Sequence, residues 1–277
     1  MASNREFQMI EHQGWLGGFS NIFAKENHRW WRTRQWLVQT LVWLLVVNGV
    51  LAAIVWSKPN FPDYMDEEAR QAVLDQIPMT TLDTFINILG MATGVGAVIL
   101  AQDAIIKEKN SGTAAWVMSK PASRAAFVLA KIISNSLGIL VTMVIIQAVA
   151  GYMQIWLGTG RVLPVPEFAG AMGLAFLGLI FYFTLAIMLG SMSNSRGLVI
   201  GIPLLINLGY QFFLMIGDWL GDIMPWNLVI PLGDRLSLAM TLLQGEPLPT
   251  ITPIIATVLW SILFTAVALW SFSREEF

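Results

Sequence analysis

The chain has 277 residues, of which 56% are hydrophobic and only 12% are charged. Soluble domains carry about a quarter charged residues, so this composition is typical of a protein whose solvent is lipid. A formal net charge of −2 argues against nucleic acid as a partner, and the lack of cysteine excludes disulfides, iron–sulfur clusters and thiolate zinc sites. Both histidines, His12 and His28, precede the first apolar segment, which excludes an intramembrane bis-histidine haem.

The first 35 residues form a polar leader that contains one amphipathic segment. Ser20 or Asn21 is a candidate N-cap for a helix there. A basic amphipathic helix lies in the membrane interface, with tryptophans toward the acyl chains and arginines toward the phosphates. Its simplest role is to anchor the topology. The residues predicted to form this interfacial helix are Trp15, Phe19, Phe23, Lys25, Arg29, Trp30 and Arg32.

Six apolar stretches are long enough to cross a hydrocarbon core, which takes roughly 20 helical residues. In lipid each must be helical, because unpaired backbone groups find no water there. The sequence therefore predicts an all-α polytopic membrane protein of one domain (1–277), with a leader (1–35) and a six-helix membrane region (36–277). The predicted spans are 36–56, 84–103, 126–156, 168–190, 198–216 and 251–272.

The distribution of lysine and arginine predicts the orientation of these spans. Positive residues concentrate in the loops that face the cytoplasm. With the N-terminus inside, the outer loops carry only Lys58, Arg70, Arg161 and Arg235 of the 16 basic residues. We therefore expect a multi-pass protein of the cell membrane whose N- and C-termini are both cytoplasmic.

A polar insertion at 107–124, which we name the hook, separates the second and third predicted spans. Asn110 or Ser111 can cap a short helix there, and Gly112 permits close approach of another backbone. Pro121 ends that helix, and Ser123 or the residues before it begin the next one. The hook is thus predicted to be a structured turn rather than a plain loop.

The hook also carries apolar side chains in a place that should be solvated. Trp116, Val117 and Met118 stand among charged residues, and exposed apolar groups ringed by charge mark protein-binding sites. The simpler interpretation is a tight helical turn whose Trp116 rests on the membrane interface. The residue types alone favour neither interpretation.

Several amides lie at membrane depth within the predicted spans. Most such residues bond neighbouring helices, and a minority line a translocation path. The candidates for pathway lining are Asn48, Asn87, Asn135 and Asn207. Gly90 and Gly94 have the spacing of close helix packing, either within the chain or between two copies.

The segment 218–250 is predicted to lie outside but is not uniformly polar. Two apolar parts are separated by prolines and are too short to cross the bilayer. Two half-buried helices that dip into the outer leaflet fit this pattern.

The hook is similar to the cytoplasmic loop of ABC-2-type transporter permeases. The resemblance rests on Glu108, Gly112-Thr113, Pro121, Ser123-Arg124 and Lys131 at the spacing of that family. It covers the hook specifically and the six-span layout loosely. The sequence departs from many relatives near Asn110, where they have a second acidic residue.

This resemblance implies the transmembrane subunit of an ATP-binding cassette exporter. The chain would form the pathway in a homo- or heterodimer with a second permease subunit. The hook would be the coupling helix for a separate ABC ATP-binding subunit, expected in two copies. The leader helix would be an elbow helix, and the helices before the last span would be re-entrant. The implied ATPase-contact residues are Lys107, Glu108, Lys109, Asn110, Gly112, Thr113, Trp116, Met118, Pro121, Ser123 and Arg124.

The chain lacks a Walker A sequence of the form G-x-x-x-x-G-K-[ST], so we expect it not to be an enzyme by itself. It would carry no catalytic residue, cofactor or metal, and ATP and Mg²⁺ would bind the partner subunit. Alternatives are an ion-coupled secondary carrier, a non-transporting membrane subunit that recruits a cytoplasmic ATPase, and an intramembrane enzyme with Ser191 or Ser193 as nucleophile. The transported substrate is not readable from the sequence.

Overall fold

The computed structural model of the chain describes residues 14–57, 62, 64–119 and 122–275. These ranges fold into helices, and they contain no β-strand. The helices in chain order are α1 (Phe19–Arg32), α2 (Gln35–Val55), α3 (Glu67–Asn110), α4 (Thr113–Met118), α5 (Arg124–Thr159), α6 (Val165–Met192), α7 (Arg196–Leu208), α8 (Tyr210–Leu214), α9 (Trp219–Ile223), α10 (Leu238–Leu243) and α11 (Thr252–Ser273), with a 3₁₀ turn at Pro225–Leu228.

Five of these helices, α2, α3, α5, α6 and α11, are long and apolar enough to cross a membrane. They coincide with five of the six predicted spans. The predicted span 198–216 instead forms two shorter helices, α7 and α8, which are separated at Gly209. Glycine is a poor helix former, and Pro203 removes a further backbone donor from α7. The predicted count of six continuous spans is therefore not confirmed.

Helix α3 is 44 residues long and extends well beyond the predicted span on both sides. At its beginning, the Asp66 side chain accepts a hydrogen bond from the backbone N–H of Ala69 at 2.7 Å. Glu67 and Glu68 follow in the first turn, where negative charge stabilises the helix dipole. Asp66, Glu67 and Glu68 thus begin this helix, and its other end carries the hook.

Helix α6 is central to the fold and packs against α3, α7, α10 and α11. Aromatic rings fill its contact with α11, where Phe181 meets Phe264 edge to face at a centroid distance of 5.3 Å. Between hydrocarbon-coated helices, close van der Waals packing replaces the hydrophobic effect as the main attraction. The core is therefore built from interlocking rings and small residues.

Helices α2 and α5 are joined by a buried amide cluster beside two π-helical segments, Leu44–Asn48 and Leu140–Ile145. Asn48 Nδ2 donates to Gln147 Oε1 at 2.8 Å, and Gln154 Nε2 donates to Asn48 Oδ1 at 3.0 Å. Gln147 Nε2 in turn donates to the backbone carbonyl of Thr142 at 2.9 Å. A π-helical turn disturbs the regular ladder of backbone bonds, and here side-chain amides bond the backbone next to it.

The glycines of α3 serve contacts within the chain. A Cβ atom at Gly94 would lie 2.6 Å from Asn207 Nδ2, and one at Gly90 would lie 2.3 Å from a methyl of Val229. Asn207 Nδ2 donates to the backbone carbonyl of Met91 at 3.0 Å. The close-packing surface predicted on this span is thus occupied by α7 and by the segment after the 3₁₀ turn.

Gly138 on α5 allows the ring of Trp30 from α1 to lie against the helix, since a Cβ atom there would be 2.4 Å from the indole. We expect Gly138→Ala to lower the free energy of unfolding by about 1–3 kcal/mol through overpacking. The matched control is Gly173→Ala on α6, where no atom lies within 4 Å of the added Cβ. That change should be neutral or stabilise by up to about 1 kcal/mol through helix propensity. Unfolding is measured by adding dodecyl sulfate to protein held in one mild detergent, and the midpoints of the variants are compared. Equal midpoints for the two variants would contradict the packing.

Candidate functional site

The hook begins at the end of α3 and contains the short helix α4. A turn at Gly112 precedes α4, and Ser123, the N-cap of α5, follows it. Gly112 has φ of 70°, a left-handed conformation that glycine adopts without strain, and α4 begins directly after it. At the other side, the Ser123 side chain accepts a hydrogen bond from the backbone N–H of Ala126 and caps α5. The predicted start of this helix is confirmed. Pro121, which we expected to end the short helix, lies outside the described residues.

The leader is fastened to the hook just before α5 begins. The backbone N–H of Ser123 donates to the carbonyl of Gly17 at 2.8 Å, and Ser123 Oγ donates to the carbonyl of Trp15 at 2.6 Å. Gly18, with φ of 79°, then leads into α1. The predicted N-caps Ser20 and Asn21 are wrong, because the helix begins at Phe19 with Gly18 in the N-cap position, two residues before Ser20.

A buried group of three charged residues, which we name the charge cluster, joins α1, α3 and α5. It consists of Glu26, Glu108 and Lys131, and the lysine is fully buried. Lys131 Nζ lies 3.0 Å from Glu26 Oε1 and 2.9 Å from Glu108 Oε1. A buried charge without a partner is strongly unfavourable, so the lysine fixes both carboxylates in place.

Two further cations surround the charge cluster at its exposed rim. Lys25 Nζ lies 3.6 Å from Glu108 Oε1, and Arg29 Nη1 lies 4.0 Å from Glu26 Oε2. The side chains of Lys25 and Arg29 are 52% and 39% exposed, so water screens these contacts. The strongest electrostatic interactions here are therefore those of the buried Lys131 with the carboxylates of Glu26 and Glu108.

One face of α1 packs against α5 rather than against lipid. Ile22, Glu26 and Trp30 form this buried face, and Trp30 Nε1 donates to Asn135 Oδ1 at 3.0 Å. The prediction that Trp30 faces the acyl chains is therefore wrong, because its indole N–H and ring both have partners in the protein. Phe19 and Phe23 are half-buried with stacked rings, and the remaining predicted interfacial residues, Trp15, Lys25, Arg29 and Arg32, are exposed or half-buried.

The residues predicted to contact an ATPase divide into two groups. Glu108 is only 8% exposed and belongs to the charge cluster, so its carboxylate is turned away from the surface where we expected it. Lys109, Ser123 and Arg124 bond the leader or the chain after α11 and hold the hook in place. The other predicted contact residues that the structure describes are exposed or half-buried, namely Lys107, Asn110, Gly112, Thr113, Trp116 and Met118, among which Trp116 is 61% exposed.

Of the four asparagines proposed as pathway lining, three are buried in bonds between helices. Asn48 belongs to the amide cluster, Asn135 receives the indole N–H of Trp30, and Asn207 bonds the α3 backbone. Asn87 is half-buried and donates to the carbonyl of Asp83 in its own helix. Helix-to-helix bonding, the commoner of the two roles considered, accounts for Asn48, Asn135 and Asn207.

Glu26 and Glu275, the latter just after α11, also belong to this site, although neither was predicted from the sequence. A signal for Glu26 was present, since an acidic residue interrupts a leader helix that is otherwise basic. No group of three or more histidine, aspartate or glutamate side chains placed to hold a metal ion occurs among the residues that the structure describes.

Long apolar helices around a hook, which a buried charge cluster and a leader helix hold in place, define a multi-pass α-helical membrane protein. The family described as ABC-2 family transporter protein matches this chain over residues 20–277. The chain therefore belongs to the ABC-2 transporter family and is a permease of that type. A comparison with curated proteins gave no significant match.

The charge cluster predicts a large effect of removing its cation. Lys131→Met should lower the free energy of unfolding by about 3–5 kcal/mol, because Glu26 and Glu108 stay buried without a cation. Lys25→Met, at the exposed rim, should cost about 0–1 kcal/mol. The measurement is thermal unfolding in one detergent.

The same experiment contains its own internal test. Lys131→Met combined with Glu26→Gln and Glu108→Gln should recover much of the lost stability, since no buried charge then remains. A triple variant that is less stable than Lys131→Met would show that the three side chains do not act as one cluster.

Proposed function

We propose that this permease is the transmembrane subunit of an ATP-binding cassette exporter and that α4 of the hook docks on a separate ATP-binding subunit. The observation that carries the proposal is Trp116, a large aromatic residue that is 61% exposed on a short helix whose flanking segments are both bonded to the rest of the protein. Exposed aromatics on rigid supports are typical anchors of protein interfaces. Membership of the ABC-2 family implies such an ATPase partner in general.

The docking surface that we propose consists of the exposed part of the hook. Lys107, Asn110 and Thr113 contribute exposed or half-buried polar groups to the same segment as Trp116, and Met118 adds a flexible apolar side chain. Glu108, Lys109, Ser123 and Arg124 hold this surface in position from behind. Nucleotide-driven closure of two ATP-binding subunits would then move two hooks and rock the helices between states of different access.

Several finer features belong to the same proposal. The protein would lie in the cell membrane with both termini in the cytoplasm, as the distribution of basic residues favours. Two permease chains would enclose the path, and α7 and α8 would cross the membrane together as the sixth span. The helices α9 and α10 would be re-entrant from the outside, and α1 would be an elbow helix with one face on α5 and the other toward the interface. ATP and Mg²⁺ would bind the partner subunit.

Replacing Trp116 tests the docking surface directly. We expect Trp116→Ser to lower the recovery of a co-expressed ABC ATP-binding subunit by about tenfold or more, since interface tryptophans carry a large share of binding free energy. The readout is the ratio of the two chains after affinity purification in mild detergent.

Trp219→Ser is the matched control, because Trp219 is 58% exposed on α9, away from the hook. Its recovery of the ATP-binding subunit should equal that of the parent chain. Unchanged recovery with Trp116→Ser would contradict docking through the hook, and an equal loss with both variants would indicate a nonspecific effect of removing tryptophan.

A further inference from the structure

The last turn of α11 lies against the beginning of α5 and the end of α6. The rings of Phe127 and Phe272 stack with centroids 5.0 Å apart, and both side chains are buried. Ser271 Oγ donates to the backbone carbonyl of Ser191 at 3.2 Å. The end of α11 therefore contacts both α5, which follows the hook, and α6, which precedes the loop before α7.

The last residue of α11 and the residues after it bond the chain on both sides of the hook helix α4. Lys109 Nζ, before the hook turn, lies 2.7 Å from Glu275 Oε1. Arg124 Nη1, after the hook, donates to the backbone carbonyl of Ser273. The side chains of Lys109 and Glu275 are 7% and 27% exposed, so this ion pair is shielded from water more than a typical surface pair.

These bonds lie on the two sides of α4, which follows Gly112 directly. Gly112 adopts the left-handed conformation, and no atom lies within 4 Å of a Cβ atom built there. The direction of α4 is therefore set by the packing of Ala114, Val117 and Met118 on the core and by the bonds on either side of the hook, rather than by steric contact at Gly112. The bonds from 273–275 to Lys109 and Arg124 cross between the two supports of the hook and restrict their separation.

Helix α11 also reaches the short helices on its other side. Trp260 Nε1 donates to the backbone carbonyl of Ile223, the last residue of α9, at 3.1 Å. A displacement of the hook supports is thus connected through one continuous helix to α9. This connection runs from Trp260 near the middle of α11 to Ser271 and Ser273 in its last turn.

We propose that residues 271–275, which we name the tail clasp, link the position of the hook to α11, and that Lys109 and Glu275 are positioning residues for this link. The inference rests on the proposed function, because the link transmits motion only if an ATP-binding subunit moves the hook. Opening the tail clasp leaves the exposed face of Trp116 in place but frees the hook supports from α11.

The link is tested first on the permease chain alone. The chain has no cysteine, so spin labels can be placed at Ser111→Cys on the hook and at Ile262→Cys on the exposed side of α11. In lipid nanodiscs, the distance distribution between the labels should be narrow. Glu275→Gln should broaden it, and the exchange of both charges, Lys109→Glu with Glu275→Lys, should narrow it again.

Glu246→Gln is the matched control, since this exposed glutamate lies in the segment between α10 and α11, away from the hook. It should leave the distance distribution unchanged. Identical distributions for Glu275→Gln and the parent would overturn the proposal, as would a charge exchange that remains as broad as Glu275→Gln.

The second measurement separates the tail clasp from docking. With a co-expressed ATP-binding subunit, Glu275→Gln should retain recovery within about twofold of the parent, because a partly exposed charge outside the docking surface contributes little to affinity. A loss as large as that of Trp116→Ser would place Glu275 in the docking surface and overturn its positioning role. Failure of the parent chain to recover any ATP-binding subunit would refute the proposed function alone, since the distance measurement needs no partner.

Discussion

Lys131 is a fully buried cation in a protein whose surroundings are largely lipid, and it obtains both of its carboxylate partners from other helices. Glu26 comes from α1 and Glu108 from α3, so three helices must meet in one register for the ammonium group to be neutralised. A buried ion pair contributes little net stability compared with apolar residues of the same volume, but a broken one is very costly. The charge cluster thus selects one arrangement of the leader, the hook support and α5.

This constraint explains why α1, which is not one of the five long apolar helices, is held firmly beside the hook. Around the charge cluster, Trp30 fills the space left by Gly138 and donates to Asn135, and Ser123 bonds the backbone of the leader turn. These contacts are specific in direction, since each pairs a donor with one acceptor. The hook is consequently supported by the leader on one side and by the chain after α11 on the other.

The sequence predicted most of the spans because lipid leaves an apolar segment only one way to satisfy its backbone, namely as a helix. It did not predict the break at Gly209, where composition stays apolar and only the local glycine interrupts α7 and α8. Burial of Trp30 was also missed, because the same amphipathic spacing serves a helix on a membrane surface and a helix on another helix. Glu108 appeared exposed for a similar reason: its neighbours in sequence are polar, and its partner Lys131 lies on a different helix.

The contrast between Gly112 and its surroundings bears on how a permease of this family responds to a partner. Both helices that carry the hook are fixed by ion pairs and capping bonds, whereas α4 is joined to α3 through a glycine whose Cβ position meets no atom. A force on α4 therefore has two outcomes. It displaces α4 from its packing on the core, where Ala114 is buried, or it moves α3 and α5 together. Bonds that hold the two supports at a fixed separation favour the second outcome, because displacement of α4 alone would strain the contacts on the far side of α4. In the coupling that we propose, transmission from the hook to the bundle would depend less on the stiffness of α4 than on the side chains that hold its two ends.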